Sequence, residues 1–364
     1  MAHLISFLLP DLRGGGVERI RLVLASEFTR CGHNVEFVLM QATGDFLAEA
    51  QRDFSVYDLA TPRSRNVIPA LVCYLRRRRP DALLAAMWPL TILAPLARSI
   101  SGHCCKILVS EHNTLSVQYR EWGIAHSAAL RLSMALCYRL ADVRVGVSAG
   151  VVDDLSGLSG ISQRSFHTIH NPLIPSDKPS PEAIAMALHR WSAGQGAHIL
   201  TVGSLKEQKN HPLLLQAFAR MALPDAKLMI LGQGKGETAL RNLAIELGIS
   251  DRVILAGFHP DPSAFYAGAD LFVLSSDYEG FGNVIVEALS FGLPVVSTDC
   301  PSGPAEILEN GRWGRLTPVG DAEALARAME EALSTPVDRE ALKRRAADFS
   351  PEIAARKYLD LLGL

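Results

Sequence analysis

Glu279 and Glu287 flank a glycine-broken stretch, Gly280-Phe281-Gly282-Asn283-Val284, and their spacing is suited to chemistry. An ionised carboxylate accepts hydrogen bonds from two hydroxyls at once, which suits a sugar or a ribose. Gly280 and Gly282 interrupt regular structure. Glu279 therefore falls on a loop, and Glu287 lies about a turn into the helix-like run Val284 to Phe291, closed by Gly292. The amides around Phe281, Gly282 and Asn283 then sit at a helix N-terminus, where an anionic group is favoured. A capped helix with two solvated glutamates has the same spacing. The apolar run Leu271-Phe272-Val273-Leu274-Ser275 favours the functional reading, because it delivers Glu279 to a strand's carboxyl end, where open α/β sheets bind ligands.

Such a loop needs a sheet to hold it, and the chain reads as strand–helix alternation throughout. His3 to Leu9 is a strand, Gly14-Gly15-Gly16 a turn, Val17 to Arg30 a helix with Ile20, Leu24 and Phe28 at helical spacing, and Val35 to Met40 the next strand. The glycines lack G-x-G-x-x-G spacing, so they suit a close approach to phosphate or a flexible turn equally. Ala82 to Met87, Lys106 to Ser110 and Val143 to Val147 are further strands. The second of them delivers Glu111-His112-Asn113 to a strand end, and Ser148 caps the helix after the third. Four prolines between Pro172 and Pro181 mark an interdomain linker. Beyond it the pattern restarts with strands His198 to Val202, Lys227 to Leu231, Val253 to Ala256, Leu271 to Leu274 and Pro294 to Ser297, and Asp321 caps a long amphipathic helix. Gly232-Gln233-Gly234-Lys235-Gly236 imitates a dinucleotide fingerprint, but Glu237 stands where its third glycine belongs. Two doubly wound domains facing a central cleft are expected.

Composition bounds the rest. The chain has 364 residues, 48% hydrophobic and 20% charged, which describes a soluble two-domain protein with ample core. The net charge of -2 argues against nucleic acid as a partner. Residues 1–172 hold 18 Lys+Arg against 14 Asp+Glu, +4, and the remainder 18 against 24, -6. Arg76 to Arg79 belongs to the basic half and suits an anionic membrane surface or a solvated helix end before Pro80. The six cysteines show no metal spacing and fit free thiols in a reducing compartment. With no signal peptide and no span-length apolar run, a cytoplasmic protein is expected, peripheral on the inner membrane face if lipid is engaged.

The ordered motifs Val202-Gly203 to Lys209-Asn210, Leu231-Gly232-Gln233-Gly234, Glu279-Gly280-Phe281-Gly282 to Glu287, and Ser302-Gly303-Pro304 carry a family. Together they resemble the retaining glycosyltransferases of the GT-B fold, glycosyltransferase family 4. The resemblance covers nearly the full length and is strongest after residue 198. It implies an acceptor domain over 1–172, a nucleotide-sugar donor domain over 173–348, and a segment 349–364 crossing back onto the first domain. By the same resemblance Glu279 holds sugar hydroxyls, aided by amides from Gly280 through Asn283 and Val284, and Glu287 binds the ribose. Lys209 meets the diphosphate, where a cation stabilises charge on the leaving group. Gly203 and Ser204 border that site, Gly232 and Phe258 flank the base, and Gly15 and Gly16 approach phosphates or acceptor. His112 faces the anomeric centre or the primary hydroxyl; a histidine in this setting also serves structure alone. The family commonly pairs the lysine with an arginine where this chain has Ser204, leaving Lys206, Arg13 or Arg19 to substitute. Metal independence and the absence of any cofactor are expected, with Lys209 and helix dipoles in place of Mg²⁺. Acceptors implied are glycans or lipid-linked sugars of cell-envelope or exopolysaccharide assembly, and donors UDP- or GDP-sugars. A nucleotide-sugar epimerase and a non-catalytic partner of another transferase are the alternatives; an NAD dehydrogenase is weaker.

Overall fold

The computed structural model describes residues 2–174, 178–191 and 196–364; Pro175, Ser176 and Asp177 of the expected linker lie outside the described residues. The chain divides into two units, Met1–Ile174 with Ser350–Leu364, and Pro175–Phe349.

Runs rich in Leu, Val, Ile and Phe form the strands of both sheets. In the first unit these are β1 (Leu4–Leu9), β2 (Asn34–Leu39), β3 (Ser55–Asp58), β4 (Ala82–Ala86), β5 (Lys106–Glu111), β6 (Val143–Gly146) and β7 (His167–Thr168). They pair in parallel in the order β3-β2-β1-β4-β5-β6-β7. The central strand β4 is buried along its whole length, as a strand covered by helices on both faces must be. The second unit contains β8 (His198–Val202), β9 (Lys227–Leu231), β10 (Val253–Gly257), β11 (Leu271–Leu274), β12 (Val295–Thr298) and β13 (Arg315–Thr317). Its order is β10-β9-β8-β11-β12-β13, again parallel. In each sheet the winding reverses once, between β1 and β4 and between β8 and β11. Such a reversal splays the following loops apart and opens a crevice at the carboxyl edge.

Helix ends follow the sequence. Ser148 accepts a hydrogen bond from Val151 N (3.2 Å) and Asp321 from Ala324 N (2.9 Å), so both are the N-caps expected. Helix Pro351–Leu362 buries Ala354, Ala355, Tyr358, Leu359 and Leu362 in the core of the first unit, beside helix Gly16–Arg30. The short strands β3, β7 and β13 were not foreseen; each is an edge or near-edge strand too brief to show an alternating pattern.

The arginine run closes helix Val67–Arg78, and two of its members are engaged within the unit. Arg76 donates to Ile100 O (3.2 Å) and Ser101 O (3.1 Å), and Arg78 pairs with buried Glu36 at 2.7 Å. All four arginines are exposed at the helix end, as the solvated-end reading has it, with Arg76 and Arg78 also engaged in contacts within the unit. No described helix is long and apolar enough to cross a membrane.

Candidate functional site

In the second unit the loops after β8 and β11 meet, because those strands are neighbours at the winding reversal. Lys209 Nζ donates to Glu279 Oε1 at 2.6 Å, and Ser276 Oγ donates to the same oxygen at 2.6 Å. The lysine side chain is 17% exposed and that of Glu279 8%. A pair so far removed from water keeps both charges only through mutual contact and further hydrogen bonds.

The backbone around the pair is tied at several points. Asn210 takes a left-handed conformation (φ 41°), caps helix His211–Arg220 through Leu213 N, and donates from Nδ2 to Asp277 Oδ1 at 2.7 Å. Gln208 Nε2 donates to Tyr278 O (2.9 Å), Ser275 Oγ to Lys209 O (2.8 Å), and Thr298 Oγ1 to Ser276 O (2.6 Å). These bonds fix where both charged side chains begin. Gly303 (φ +95°) lies against the glycine loop so closely that a Cβ there would fall 1.8 Å from Phe281 O. Gly282, also at positive φ, precedes helix Asn283–Ser290 and leaves its N-terminus without a side-chain cap. Asn283 and Val284 form the first turn of that helix, and Gly280 and Phe281 are buried before it.

The strand ends on the other side converge too. A Cβ on Gly203 would lie 3.3 Å from Lys209 Cε, and one on Gly232 would lie 1.9 Å from Gly203 O. Gly232 N donates to Gly257 O at 2.9 Å, and the next residue, Phe258, is 57% exposed. Gly203, Gly232 and Lys209 thus share one edge with Glu279, with Phe258 beside it. Glu287 joins a different partner: Tyr266 Oη donates to its Oε2 at 2.9 Å. Burial and the nearby Glu287 carboxylate both raise the Tyr266 phenol well above its ordinary range, so it stays a donor. Ser204 is half-buried. Lys206 lines a cavity of about 760 Å³ with Gln233, Lys235 and Tyr278, and Arg13 is paired with Asp11 at 2.9 Å. Cys300, near Glu279, is pushed up to about 12 by burial and then by that carboxylate, which leaves it an inert thiol.

In the first unit His112 follows β5. Buried Arg21, from helix Gly16–Arg30, donates through Nη2 to Ser110 Oγ and lies 3.1 Å from His112 Nε2. A guanidinium has donors only, so Nε2 must accept and the proton of a neutral ring sits on Nδ1. Burial first, and Arg21 second, hold His112 well below its ordinary value, with Asn171 acting in the opposite sense. His112 is therefore a neutral ring with an Nδ1–H to donate. The Arg21 guanidinium lies between the rings of Phe7 and Tyr358, 5.4 and 5.6 Å from their centres. Gly15 precedes helix Gly16–Arg30 as a cap without side chain, so Gly15 and Gly16 open that helix at the carboxyl end of β1.

Sequence reasoning overlooked Arg21, and it placed Glu111 at a strand end without giving it a role. Glu111 is buried and accepts from Thr91 Oγ1 (2.6 Å), Tyr138 Oη (2.8 Å) and Trp88 N (3.2 Å). Burial raises its carboxyl to about 7 despite those donors. Its position directly before His112 at the end of an apolar strand was the available signal.

The family model for glycosyl transferases group 1 matches residues 192–349, and that for glycosyltransferase family 4 matches residues 14–176. A Campylobacter jejuni protein, N-acetylgalactosamine-N,N'-diacetylbacillosaminyl-diphospho-undecaprenol 4-alpha-N-acetylgalactosaminyltransferase, is 31% identical over 254 residues, 70% of this chain and 67% of that one. An uncharacterized glycosyltransferase of Haemophilus influenzae is 33% identical over 341 residues, 91% of each chain. Among solved structures, Anabaena HepE in complex with UDP-glucose superposes with a TM-score of 0.84 at 21% identity, covering 99% of both chains.

Proposed function

Because the chain belongs to glycosyltransferase family 4 and has its two-domain α/β GT-B fold, we propose that it transfers a hexose with retention of configuration from a UDP- or GDP-sugar to a hydroxyl of a glycan or lipid-linked acceptor, without a metal. Sugar transfer from a nucleotide sugar is the coarser reading; acceptor, donor base, stereochemistry and metal independence are the finer one. The observation that carries it is the Lys209–Glu279 pair at the winding reversal of the second sheet.

In the proposed reaction Glu279 accepts hydrogen bonds from sugar hydroxyls, and Lys209 turns from Glu279 toward the diphosphate. The bond from the anomeric carbon to the phosphate oxygen breaks as the acceptor oxygen attacks from the same face. The acceptor's proton passes to the departing phosphate. Negative charge grows on that phosphate, where a fixed cation and a helix N-terminus are worth most. Glu287 takes the ribose, Gly232 and exposed Phe258 flank the base, and the amides of Phe281 to Asn283 assist the sugar. His112, as an Nδ1–H donor, serves the primary hydroxyl. The residues up to 174 form the acceptor domain. A lipid-linked acceptor has support from the diphospho-undecaprenol in the Campylobacter relative's name, and a UDP-sugar from the HepE complex.

A thermal-shift panel of UDP, GDP and their sugars tests the donor, since a ligand selective for the native state raises its apparent stability. Nucleoside diphosphate release with and without acceptor then separates transfer from epimerisation or silent binding. The anomeric coupling of the product reads retention, and turnover in EDTA reads metal independence. Full loss on chelation, restored by Mg²⁺ or Mn²⁺, would overturn the last point.

A further inference from the structure

The second unit carries a cavity of about 760 Å³ that the donor reading leaves unused. It opens where helices His211–Arg220 and Glu237–Glu246 begin, with Pro212 and Ala239 among its lining residues. Both helices share a core with Leu271 and Val273 of β11. Successive residues of a strand face opposite sides of a sheet. Phe272, between those two, meets the ring of Tyr266, the partner of Glu287. The cavity therefore lies on the face of the sheet away from Glu287, and its volume is that of a small-molecule site.

Its lining is part apolar and part cationic. Leu205, Leu240 and the half-buried Tyr278 give an apolar wall, and Lys206 and Lys235 stand exposed at the rim against Glu207. Gly236 caps helix Glu237–Glu246 without a side chain, so the first-turn amides are open to an anion. His211 lines the cavity at 2% exposure, and no hydrogen bond ties its ring to another described residue. Burial, and then the Lys209 charge, lower it to about 4, so the ring stays neutral and offers one donor and one acceptor nitrogen. A buried polar ring left unpaired costs stability unless a ligand satisfies it.

We infer that the cavity is a second ligand site, built for an organic phosphate with a flat aromatic body, such as a nucleotide. The aromatic body packs on Tyr278 and the leucines, and its polar edge meets His211. The phosphate sits among Lys206, Lys235 and the uncapped helix start. Occupancy bears on the Lys209–Glu279 pair, because Gln208 and Tyr278 line the cavity and each stands one residue before a member of that pair. Gln208 Nε2 donates to Tyr278 O, and Asp277 N to Gln208 O, both at 2.9 Å, so a ligand that shifts one loop shifts the other.

The test is calorimetric titration of the full chain with AMP, phenyl phosphate and inorganic phosphate, and separately with UDP and GDP. AMP and phenyl phosphate are expected to bind, and inorganic phosphate at least about tenfold more weakly, since it leaves the apolar wall wet. Lys206→Glu with Lys235→Glu should weaken AMP by at least about tenfold, through two lost charge contacts. Ala239→Trp fills the cavity from an exposed helix position and should abolish AMP binding with the thermal midpoint unchanged. Saturating AMP should shift the affinity for UDP by at least about fivefold in the wild type and not in Ala239→Trp. Lys209→Met reads the donor site instead, and there AMP binding should persist. No AMP binding, AMP binding unchanged in both cavity variants or removed by Lys209→Met alone, inorganic phosphate as tight as AMP, or a UDP affinity indifferent to AMP would overturn the proposal and leave the transferase reading standing. A chain that binds neither UDP nor GDP, yet loses AMP only in the cavity variants, would keep this site and remove that reading.

Discussion

Glu279→Gln keeps the shape of the side chain and removes its charge. In the free protein Glu279 Oε1 accepts from Lys209 Nζ and Ser276 Oγ, each at 2.6 Å, and a glutamine oxygen can still accept both, so folding should survive. In the reaction, the lost charge turns a charge-assisted hydrogen bond to a sugar hydroxyl, worth about 1.5–3 kcal/mol, into a neutral one worth about 0.5–1.5 kcal/mol. The difference, about 1–1.5 kcal/mol, corresponds to a fall in turnover of about 5- to 13-fold. The same substitution loosens the hold on Lys209, so affinity for the nucleoside diphosphate should stay level or rise. Lys209→Met should do the reverse, weakening diphosphate binding and lowering turnover by about 10²–10³, the cost of one donor aimed at developing charge. It also leaves Glu279 buried with Ser276 as its hydroxyl donor, so stability should fall by about 1–3 kcal/mol. Steady-state kinetics, calorimetry with UDP and GDP, and a double-mutant cycle check this set. Turnover in Glu279→Gln equal to wild type, or diphosphate binding weakened there as much as in Lys209→Met, would refute the reasoning.

Three further outcomes are expected. Glu111 has a folded-state value of about 7 against an ordinary value of 4.5, so between those values the native state holds a proton that the unfolded state has lost. Stability should therefore fall as pH rises from about 4.5 to about 7 and level off above, by about 3 kcal/mol from this group, and Glu111→Gln should flatten that slope in urea titrations. Arg21→Met should cost less than about 1 kcal/mol in the same titrations, because Nε and Nη1 of this buried guanidinium already lack partners and an apolar chain of similar volume escapes that penalty. It should nonetheless raise the His112 titration seen by NMR toward its ordinary value, since Arg21 helps hold it down. Gly303→Ala puts a Cβ 1.8 Å from Phe281 O at φ +95°, so a loss of at least about 2 kcal/mol and a lowered thermal midpoint are expected, with turnover reduced as the glycine loop shifts.

Much of the site could be read from sequence because its parts are local. Glycines break regular structure wherever they stand, and an apolar run before Gly280 and Gly282 has to end as a strand at a loop. Glu279 on a strand-end loop, Glu287 within a helix, and the caps Ser148 and Asp321 follow from neighbours a few residues away. His112 was found as a strand-end residue in the same way. Arg21 was not, since mid-helix it resembles any surface arginine, and burial alone makes it the group that fixes the ring's tautomer. Glu111 was placed at a strand end, but its elevated carboxyl comes from burial, which outweighs the lowering hydrogen bonds from Thr91 and Tyr138, and neither the burial nor those distant partners is visible in local sequence.

The amino-acid sequence by itself determined the alternation of strands and helices, the positions of the glycine turns, and the residue types at the strand ends, because these depend on local backbone freedom and apolar periodicity. Tertiary structure alone decided which strands are neighbours. Lys209 and Glu279 meet across 70 positions of sequence because β8 and β11 adjoin. It also decided which exposed arginines take partners within the unit, Arg76 and Arg78 among them, and which apolar side chains remain in water on helix Ile124–Cys137. Hydrophobic pattern says that a side chain prefers to leave water; only packing says whether the chain itself supplies the cover.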